Sequence, residues 1–468
     1  MNLASVVGPH PDGAIALRAD PDREITYGQL RDDVARLRGG LAARGVRRGD
    51  RVAIVLPNTP DFVAVYLAIL GVGAVAVPLN PLSPQPELQR ELAAVEAGTV
   101  VDEAVVGELR TAEQQQQPPV VDLDPDDLAV LVFTSGTGGP PRPAMLSHAN
   151  LLANIDQILS VPEAQTAQDR VLGVLPLFHI YGLNAVLGTA LAAGAAVVLA
   201  ERFDAALTLD LIRRAEVTVV PGVPTMWSAW ADLEIGGAEA FSGVRLATSG
   251  AAPLDPTVRR RLRERFGVKV VEGYGLTEAS PAVTSGLGVD APDGSIGRPL
   301  AHVSMRLVDA DEADVLVGDP GEIWVRGPNV FTGYWQDQEA TAAALTPDGW
   351  LRTGDIAVVD DDGFLFVVDR VKDIVIVSGF NVYPAEVEEV IAAHPQVAEA
   401  AVVGVPDPRT GEAVAAYVVP VDGAQLDQDE IVAYCGDNLA HYKCPIEVTI
   451  VAELPHTPAG KVLRRAVG

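Results

Sequence analysis

The segment from Leu131 to His148 carries the residue types that a phosphate-binding loop needs. It reads Leu-Val-Phe-Thr-Ser-Gly-Thr-Gly-Gly-Pro-Pro-Arg-Pro-Ala-Met-Leu-Ser-His, so an apolar stretch runs into a loop rich in serine, threonine and glycine. We expect a strand, this loop and then a helix, which would point backbone N–H groups and hydroxyls at a bound phosphate. The segment is not the GxxxxGK[ST] loop, because no Gly-Lys pair follows at the required spacing. Taken alone, it could also be a glycine-rich turn between core elements.

Further motifs follow this segment along the chain. They read Tyr274-Gly-Leu-Thr-Glu278, Trp350-Leu-Arg-Thr-Gly-Asp355, Asp369-Arg-Val-Lys-Asp373 with Ser378-Gly-Phe-Asn381, and Pro458-Ala-Gly-Lys461. Together and in this order, the segments resemble the acyl-adenylate-forming superfamily of acyl-CoA synthetases, luciferases and nonribosomal peptide adenylation domains. The resemblance covers essentially the whole chain and is strongest to the acyl-CoA ligases.

The resemblance implies a reaction in two steps. A carboxylic acid is joined to AMP at the expense of ATP with Mg²⁺, pyrophosphate leaves, and the acyl group then passes to the thiol of coenzyme A. Two anions meet in the first step, so positive charge has to neutralise them. The implied cofactors are ATP, or a supplied acyl-AMP, together with Mg²⁺ and coenzyme A.

Four residues match the family positions that act on the reacting groups. Lys461 matches the lysine that bridges the carboxylate and the α-phosphate, Glu278 the Mg²⁺ ligand and Thr277 its phosphate-contacting neighbour. His179 matches the gate between the carboxylate pocket and the thiol tunnel. The residue types alone leave other roles open, since Lys461 could be a surface lysine and His179 a core residue. Thr277 and Glu278 could be the cap and first-turn acid of a helix.

A larger set matches the positions that contact the nucleotide. Asp355 is implied to take both ribose hydroxyls, Arg370 to make a second ribose or phosphate contact, and Tyr274 to stack near adenine. The small residues of Ser249-Gly-Ala-Ala252 form the wall that lets the base approach. The other implied nucleotide contacts are Thr134, Ser135, Gly136, Thr137, Arg142, Gly250, Ala251, Ala252, Glu272, Gly273 and Gly275.

The acyl pocket is implied by two segments, Pro176-Leu-Phe-His-Ile-Tyr-Gly182 and Pro221-Gly-Val-Pro-Thr-Met-Trp227. No aspartate stands near residues 221–225 to hold an ammonium group, which disfavours an α-amino acid as substrate. The partner is therefore expected to be a small-molecule carboxylic acid or its acyl-adenylate.

The second step needs a moving part. Lys372 matches the hinge at which a change in backbone dihedrals would rotate a small domain. Gly379, Phe380 and Asn381 match the segment that lines the tunnel for the thiol arm of coenzyme A. Tyr442 and Lys443 are candidates for its phosphates.

The phosphate loop departs from the family pattern Thr-Ser-Gly-Thr-Thr-Gly-x-Pro-Lys-Gly. Gly138 replaces a threonine, Pro140 takes the free position, Arg142 replaces the lysine and Pro143 the last glycine. A proline lacks the N–H that could bind a phosphate. Arginine presents a planar fork where lysine has a compact ammonium group. The departures therefore place adenylation in question and leave the thioester step intact.

Four functional hypotheses remain open from the residues. The first is a complete acyl-CoA ligase with an atypical phosphate loop. The second is a ligase-fold enzyme that only transfers the acyl group of a supplied acyl-adenylate to coenzyme A, which would require a partner adenylating enzyme. The others are loading of a carrier-protein thiol and a non-catalytic binding protein.

The elements that must position these residues indicate an α/β fold. Apolar helices lead through glycine turns into all-apolar strands at residues 62–77 and 184–200, a pattern typical of parallel sheets covered on both faces. Short alternating strands after residue 294 predict a β-rich subdomain. We expect a large ATP- and acyl-binding domain over residues 1–370 and a small mobile α+β domain over residues 371–468.

Composition excludes several partner classes for these 468 residues. The net charge is −29, so phosphate backbones and anionic lipids are repelled, and nucleic acid is not an expected partner. Residues 62–79 lack charge, but Gly71, Gly73 and Pro78 interrupt them, so we predict no membrane span. Two cysteines and the absence of a signal-peptide pattern indicate a cytoplasmic location.

Overall fold

The structure is a computed structural model that describes most of the chain. The described ranges are residues 1–19, 23–83, 85–111, 118–134, 142–234, 237–370, 375–377, 380–382, 384–407, 411–439, 443–456 and 462–467, with the backbone alone described at residues 369–370, 376, 380–381, 411 and 465.

The strands alternate with helices through residue 275 and then follow one another closely. Within the described residues they are β1 (Ile15–Ala19), β2 (Glu24–Thr26), β3 (Arg51–Ile54), β4 (Val75–Pro78), β5 (Thr99–Val101), β6 (Leu128–Thr134), β7 (Arg142–Ser147), β8 (Arg170–Gly173), β9 (Ala196–Leu199), β10 (Val219–Gly222), β11 (Leu246–Ser249), β12 (Val270–Gly275), β13 (Ala282–Ser285), β14 (Arg298–Pro299), β15 (Ser304–Val308), β16 (Gly321–Arg326), β17 (Leu351–Val359), β18 (Leu365–Arg370), β19 (Val375–Val377), β20 (Phe380–Val382), β21 (Val397–Asp407), β22 (Gly411–Pro420) and β23 (Glu447–Ile450).

The helices begin and end at the signals that the sequence provides. Thr26 and Gln29 form a capping box at the start of the first helix, and Gly73, at φ 82°, ends the second. The α-helices are α1 (Tyr27–Ala43), α2 (Pro60–Val72), α3 (Gln85–Ala94), α4 (Glu103–Thr111), α5 (His148–Leu159), α6 (Thr189–Ala193), α7 (Ala205–Arg214), α8 (Pro224–Asp232), α9 (Pro256–Phe266), α10 (Gln338–Ala344), α11 (Pro384–Ala392) and α12 (Gln428–Asn438). A π-helix spans Tyr181–Gly188, and 3-10 helices span Leu3–Val7, Ala238–Phe241, Thr277–Ala279 and Arg464–Ala466.

Two sheets with parallel centres organise the first three hundred residues. The described strands form a nine-stranded sheet in the order β14-β13-β12-β11-β10-β8-β9-β1-β2 and a five-stranded sheet in the order β5-β3-β4-β6-β7. The strands from β12 through β11, β10, β8 and β9 to β1 pair in parallel. The predicted α/β fold with parallel sheets is confirmed.

One predicted connection is wrong. The phosphate loop does not lead directly into a helix, because β7 follows it and pairs antiparallel with β6 before α5 begins at His148. The loop therefore closes a β-hairpin. Arg142-Pro-Ala-Met-Leu-Ser147 gives little strand signal, and Pro143 is tolerated there because β7 lies at the edge of its sheet.

The chain divides into two compact units. The first comprises Met1–Met305 and Val325–Arg352, and the second comprises Arg306–Trp324 and Thr353–Gly468. The second contains a sheet in which β19, β20, β21 and β22 pair antiparallel and β23 joins β22 in parallel, over a core that includes Val387, Ile391 and Ile431. A β-rich four-stranded sheet, β15-β16-β17-β18, confirms the predicted subdomain. The boundary between residues 370 and 371 stays a prediction.

The apolar residues 62–79 do not form a membrane-spanning helix. They are divided between α2, β4 and the residues that join and follow these elements, and every residue from 62 to 79 is buried in the protein. Among the described residues, we find no helix with the length and apolar character to cross a membrane.

Candidate active site

The β6–β7 hairpin holds the two ends of the predicted phosphate loop. Thr134, the last residue of β6, pairs with Arg142, the first residue of β7, and its hydroxyl donates to the Arg142 carbonyl over 3.3 Å. The hairpin thus fixes where the loop leaves and re-enters the sheet. Ser135, Gly136 and Thr137 lie outside the described residues.

Pro143 lies in the hairpin strand and not in the loop, opposite Phe133. Its carbonyl accepts a hydrogen bond from the Trp335 N–H over 2.9 Å, and Ala144 bridges Tyr334 in antiparallel fashion. The nitrogen and carbonyl of one residue point to the same side of an antiparallel strand, so the nitrogen of Pro143 also faces residues 333–335. The missing N–H therefore removes a ladder hydrogen bond and not a phosphate donor. This corrects the expectation for Pro143.

The Arg142 side chain forms an ion pair with Asp337. Its Nε donates to Asp337 Oδ2 over 3.0 Å, and the two side chains are 40% and 36% exposed. Asp337 Oδ1 accepts the N–H of Ala340 over 2.8 Å, which makes the same aspartate the N-cap of α10. The guanidinium carries four further N–H groups on its two Nη atoms. Arg142 is thus held at one edge by a residue that the sequence analysis did not select.

Glu278 lies in a short 3-10 helix, Thr277–Ala279, which follows β12. Its half-buried carboxylate accepts a hydrogen bond from the Tyr334 hydroxyl, at 2.6 Å from Oε1. Its carbonyl accepts the N–H of Phe331 over 2.8 Å. Burial raises the pKa of Tyr334, and the negative charge of Glu278 raises it further, so the phenol stays protonated and donates.

Tyr334 and Asp337 are therefore functional candidates that sequence reasoning missed. Both belong to residues 331–337, about 55 residues beyond Glu278 and 190 beyond Arg142 in the chain. No local pattern links positions so far apart. The available signal was the run Gly333-Tyr-Trp335, whose two aromatic residues follow a glycine close to the start of a helix.

The residues of this site fit Mg²⁺ bound together with a nucleotide. In the described part of the chain, no group of three or more His, Cys, Asp or Glu side chains could hold a metal ion by itself. Mg²⁺ in nucleotide sites is held by one or two carboxylates with phosphate oxygens and water. The Glu278 carboxylate could supply one such ligand, and the Tyr334 hydroxyl donates to it.

The predicted adenine wall lies at the ends of β11 and β12. The Gly250 N–H donates to the Gly222 carbonyl over 3.2 Å, and Ala251 has a left-handed backbone at φ 72°. Strained backbone of this kind clusters at functional sites. Ala252 is half-buried beside it.

Close backbone packing explains the glycines around Tyr274. A Cβ at Gly273 would lie 2.9 Å from the Thr284 carbonyl oxygen, and one at Gly275 would lie 2.2 Å from the Pro281 oxygen. Tyr274 itself is half-buried, and its N–H donates to Thr284 Oγ1 over 3.2 Å. The sequence Gly-Tyr-Gly thus holds β12 tightly against β13.

The carboxylate of Glu272 has a structural role. It forms a buried ion pair with Arg259 of α9, and its Oε1 accepts the Leu254 N–H over 2.9 Å. Both side chains are about 5% exposed. Desolvation raises the pKa of Glu272, while the N–H and Arg259 lower it. The side chain is turned into the protein, so the predicted nucleotide contact at this position would have to involve its backbone.

The two segments predicted for the acyl pocket meet at Gly222 and Gly250. The Tyr181 hydroxyl lies 3.5 Å from both the Gly222 carbonyl oxygen and Thr248 Oγ1. A Cβ at Gly250 would approach the Tyr181 ring to 3.1 Å. Trp227, fully buried, donates from Nε1 to the Thr248 carbonyl over 3.2 Å and lies where a Cβ on Gly222 would point. The structure therefore brings these two segments together.

His179 precedes the π-helix that begins at Tyr181. Its Nδ1 accepts the Tyr181 N–H over 3.2 Å, and the side chain keeps solvent access. Surrounding protein atoms nevertheless lower its pKa by desolvation. The imidazole is thus neutral near pH 7. π-helical turns are frequent at functional sites.

The second unit carries the predicted ribose contacts. Asp355 in β17 pairs with Arg370 in β18, which places the two positions opposite each other on neighbouring strands. Asp355 is 5% exposed, and its N–H donates to Thr353 Oγ1 over 3.1 Å. The Arg370 side chain lies outside the described part.

The predicted coenzyme A contacts are described in part. Lys443 donates from Nζ to Glu386 Oε1 over 2.5 Å, so its ammonium group already has a carboxylate partner. Backbone pairing places Phe380 opposite Val377 and Asn381 opposite Ile376. The predicted site residues Lys372, Gly379, Tyr442 and Lys461 lie outside the described residues, as do the side chains of Phe380 and Asn381.

The chain is similar to known proteins over nearly its whole length. The chain matches the family model "AMP-binding enzyme" over residues 4–335 and "AMP-binding enzyme C-terminal domain" over residues 386–461. It is 40% identical to a feruloyl-CoA synthase of Amycolatopsis sp over 463 residues, which cover 95% of this chain and 93% of the relative. It is 33% identical to a long-chain-fatty-acid–CoA ligase of Bacillus subtilis (strain 168) over 502 residues, or 95% and 89% of the two chains.

Solved structures give the same picture. ATP-bound MatB from Rhodopseudomonas palustris superposes with a TM-score of 0.93 at 33% identity, covering 100% of this chain and 98% of that one. o-Succinylbenzoate CoA synthetase (MenE) from Bacillus subtilis, in complex with its acyl-adenylate intermediate, gives a TM-score of 0.88 at 32% identity and covers 99% and 97%.

Proposed function

The chain belongs to the AMP-binding enzyme family and is an acid–thiol ligase, and from that premise we propose that it performs both steps, adenylation of a carboxylic acid and transfer of the acyl group to coenzyme A. ATP or AMP and coenzyme A are its nucleotide ligands. The observation that carries the proposal is the cluster of Glu278, Tyr334, Arg142 and Asp337 beside Thr134, where the predicted phosphate loop begins.

The cluster supports adenylation because it combines the charges that this step requires. Glu278 offers a carboxylate to a cation, and Arg142 offers N–H donors to phosphate oxygens. Mg²⁺ would be held by Glu278 together with the phosphates, and when bound it supplies positive charge to the leaving pyrophosphate. Thr277, next to Glu278, and Thr134, at the loop, are proposed phosphate contacts.

The remaining roles are proposed from the family pattern. Lys461 neutralises the carboxylate and the α-phosphate during adenylation, and Asp355 and Arg370 hold the ribose. His179, neutral and accessible, gates the path from the acid to the thiol. Lys372 is the hinge of a mobile domain over residues 371–468. The proposed coenzyme A contacts are Gly379, Phe380, Asn381, Tyr442 and Lys443.

A second candidate function is transfer of the acyl group from a supplied acyl-adenylate only. The phosphate-loop departures at Gly138 and Arg142 favour it, and it would need a partner adenylating enzyme. One argument for this second candidate fails, because Pro143 lies in β7 and removes no donor from the phosphate loop. The ion pair of Arg142 with Asp337 withdraws part of another, since the arginine has a dedicated partner. We therefore favour the complete ligase.

The acid is proposed to be a small-molecule carboxylate. The protein has no aspartate near residues 221–225 that could pair with an α-ammonium group, which disfavours an α-amino acid. Relatives are named feruloyl-CoA synthase and 4-coumarate–CoA ligase, and a structural neighbour is an anthranilate CoA ligase. Others are named for long-chain fatty acids and o-succinylbenzoate. We propose an aromatic acid as the first class to test, because the relative that is 40% identical over 95% of this chain is named for such an acid.

One series of assays tests the proposal. Pyrophosphate release and thioester formation are measured with free acids, with ATP and coenzyme A, and thioester formation alone is measured from synthetic acyl-adenylate. The complete ligase gives both products from a free acid. Lys461→Ala should slow the step from free acid by about 10²–10³-fold, as lost charge stabilisation in a transition state does, and spare the step from acyl-adenylate. Thioester from acyl-adenylate without pyrophosphate release from any acid would favour the second candidate.

A further inference from the structure

We infer that residues 331–337 are a positioning segment that holds both charged groups of the adenylation site, Glu278 through the Tyr334 hydroxyl and Arg142 through the Asp337 carboxylate. The inference rests on the proposed function and assigns to Tyr334 and Asp337 roles that act through their neighbours. They are positioning residues, since each contacts a predicted ligand group and not the reacting atoms.

The segment is fixed to both sides of the site by its backbone. On the hairpin side, the Met145 N–H donates to the Gly333 carbonyl and the Trp335 N–H to the Pro143 carbonyl, each over 2.9 Å. On the other side, the Phe331 N–H donates to the Glu278 carbonyl over 2.8 Å. One short stretch of chain therefore spans from the end of the phosphate loop to the predicted Mg²⁺ ligand.

Two side chains then extend from this frame to the charged groups. The Tyr334 hydroxyl donates to Glu278 Oε1 at 2.6 Å, and its ring packs edge-on against Phe331 at a centroid separation of 5.0 Å. Asp337 receives Arg142 Nε at 3.0 Å. Tyr334 and Asp337 also bridge each other, so the two contacts share one tight turn. A displacement of either charged group would have to distort that turn.

The Asp337 contact explains how an arginine can stand where the family has a lysine. Arginine carries an Nε–H that lysine lacks, and this N–H is the atom that Asp337 binds. Pairing at Nε fixes the plane of the guanidinium. Because the group is planar, the orientation of its two Nη groups is fixed as well. The chain thus compensates the change of side chain with a carboxylate from a distant segment.

Three variants and one matched control test the inference. Tyr334→Phe removes one hydroxyl and keeps the ring. Asp337→Asn keeps an oxygen for the Ala340 N–H and so preserves the cap of α10 while weakening the hold on Arg142. Arg142→Lys removes Nε. Gln336→Asn is the control, because its exposed side chain lies in the same turn, contacts neither charged group, and has φ 54°, which asparagine tolerates.

ATP binding by calorimetry is the primary measurement, with and without Mg²⁺. Tyr334→Phe should weaken ATP binding about tenfold when Mg²⁺ is present and leave it unchanged in a chelator, because a hydrogen bond to a charged group is lost. Asp337→Asn and Arg142→Lys should each weaken binding several-fold in both conditions. The double variant Asp337→Asn with Arg142→Lys should bind ATP no more weakly than either single variant, since both substitutions break the same contact.

The half-reactions separate positioning from general damage. All three variants should release pyrophosphate more slowly from a free acid, while thioester formation from supplied acyl-adenylate stays at the rate of the Gln336→Asn control. Equal Mg²⁺-dependent ATP affinity in the parent chain and Tyr334→Phe would overturn the role of Tyr334. Tighter ATP binding by Asp337→Asn would overturn the role of Asp337, because it would show competition with phosphate. A parent chain that binds Mg²⁺ and ATP but adenylates no acid would refute the proposed function and leave these binding tests intact.

Discussion

The β11–β12 wall and the β6–β7 hairpin border the same predicted nucleotide site but hold their residues in different ways. In the wall, parallel backbone pairing and the buried Glu272–Arg259 pair fix the chain around Tyr274. In the hairpin, the predicted phosphate ligand Arg142 is held by Asp337, which lies 195 residues away and is partly exposed. The wall is positioned by its own core, whereas the Arg142 side chain at the end of the hairpin is positioned by a distant and partly exposed carboxylate.

The difference teaches where a change of sequence can be tolerated. A wall set by glycine packing and a buried ion pair offers little room for substitution. A loop whose cation is held by a separate side chain can change both partners together. The departures from the family pattern at Gly138, Pro140, Arg142 and Pro143 fall in the hairpin region, although Thr134-Ser-Gly-Thr137 matches there, and the wall shows no such departures.

The largest effect should come from breaking the buried pair behind the wall. Arg259→Leu leaves the Glu272 carboxylate buried without its partner and should lower the free energy of unfolding by about 3–5 kcal/mol. Urea unfolding measures the change. Arg261→Leu is the matched control, because its pair with Asp232 is more than half exposed and should be worth less than about 1 kcal/mol. Equal losses in the two variants would contradict the contrast between core and surface positioning.

The base of the hairpin should show a pH-dependent stability. His148 begins α5 directly after β7, is fully buried, and accepts the Leu3 N–H at Nδ1 over 3.1 Å. Burial lowers its pKa to about 4, below the value of about 6.5 expected in the unfolded chain. The unfolded state therefore binds more protons between these values, so stability is complete above pH 6.5 and falls as the pH drops towards 4.

The expected loss from His148 is about 3 kcal/mol between pH 7.5 and 4, from the size of the pKa shift. His148→Gln keeps an oxygen for the Leu3 N–H and removes the titration. Unfolding free energies of both proteins at the two pH values give the difference that His148 causes. If the parent and the variant lost the same unfolding free energy between the two pH values, the lowered pKa of His148 would be contradicted.

A smaller effect should follow from adding one methyl group to the wall. Gly250→Ala places a Cβ 3.1 Å from the Tyr181 ring, so the ring has to move by a few tenths of an ångström. We expect about three- to tenfold weaker binding of a stable acyl-adenylate analogue, measured by calorimetry, from the cost of overpacking. Gly243→Ala is the control, because the nearest atom to its Cβ would be at 3.7 Å. Unchanged affinity in Gly250→Ala would mean that the wall tolerates substitution as well as the hairpin does.

The smallest effect should come from Pro143→Gly. Its nitrogen faces Trp335, so the restored N–H would join the ladder and not bind phosphate. Pyrophosphate release from a free acid should therefore stay within about twofold of the parent rate. A rise of tenfold or more would show that the proline does deprive the phosphate loop of a donor, against the geometry.

The same contrast explains what the sequence could predict. Helix α2 and strand β4 were readable because residues 62–78 carry no charge and Gly73 divides the two elements. The wall was readable because close packing demands glycine at positions 273 and 275. Strand β7 was missed because Arg142 and Pro143 lack strand character, although β7 pairs with the nearby strand β6. The Tyr334–Glu278 and Arg142–Asp337 contacts were missed for a different reason, since each joins residues with no local relation.

The most direct test of the central claim follows one oxygen atom. A panel of aromatic and aliphatic acids labelled with ¹⁸O in the carboxylate is incubated with the protein, ATP, Mg²⁺ and coenzyme A. The ¹⁸O content of the AMP and of the thioester is then measured by mass spectrometry. A ligase that forms an acyl-adenylate transfers one labelled oxygen to AMP for each thioester made, because the carboxylate attacks the α-phosphorus. Thioester formed without label in AMP would contradict the account, as would a protein that makes thioester only from supplied acyl-adenylate.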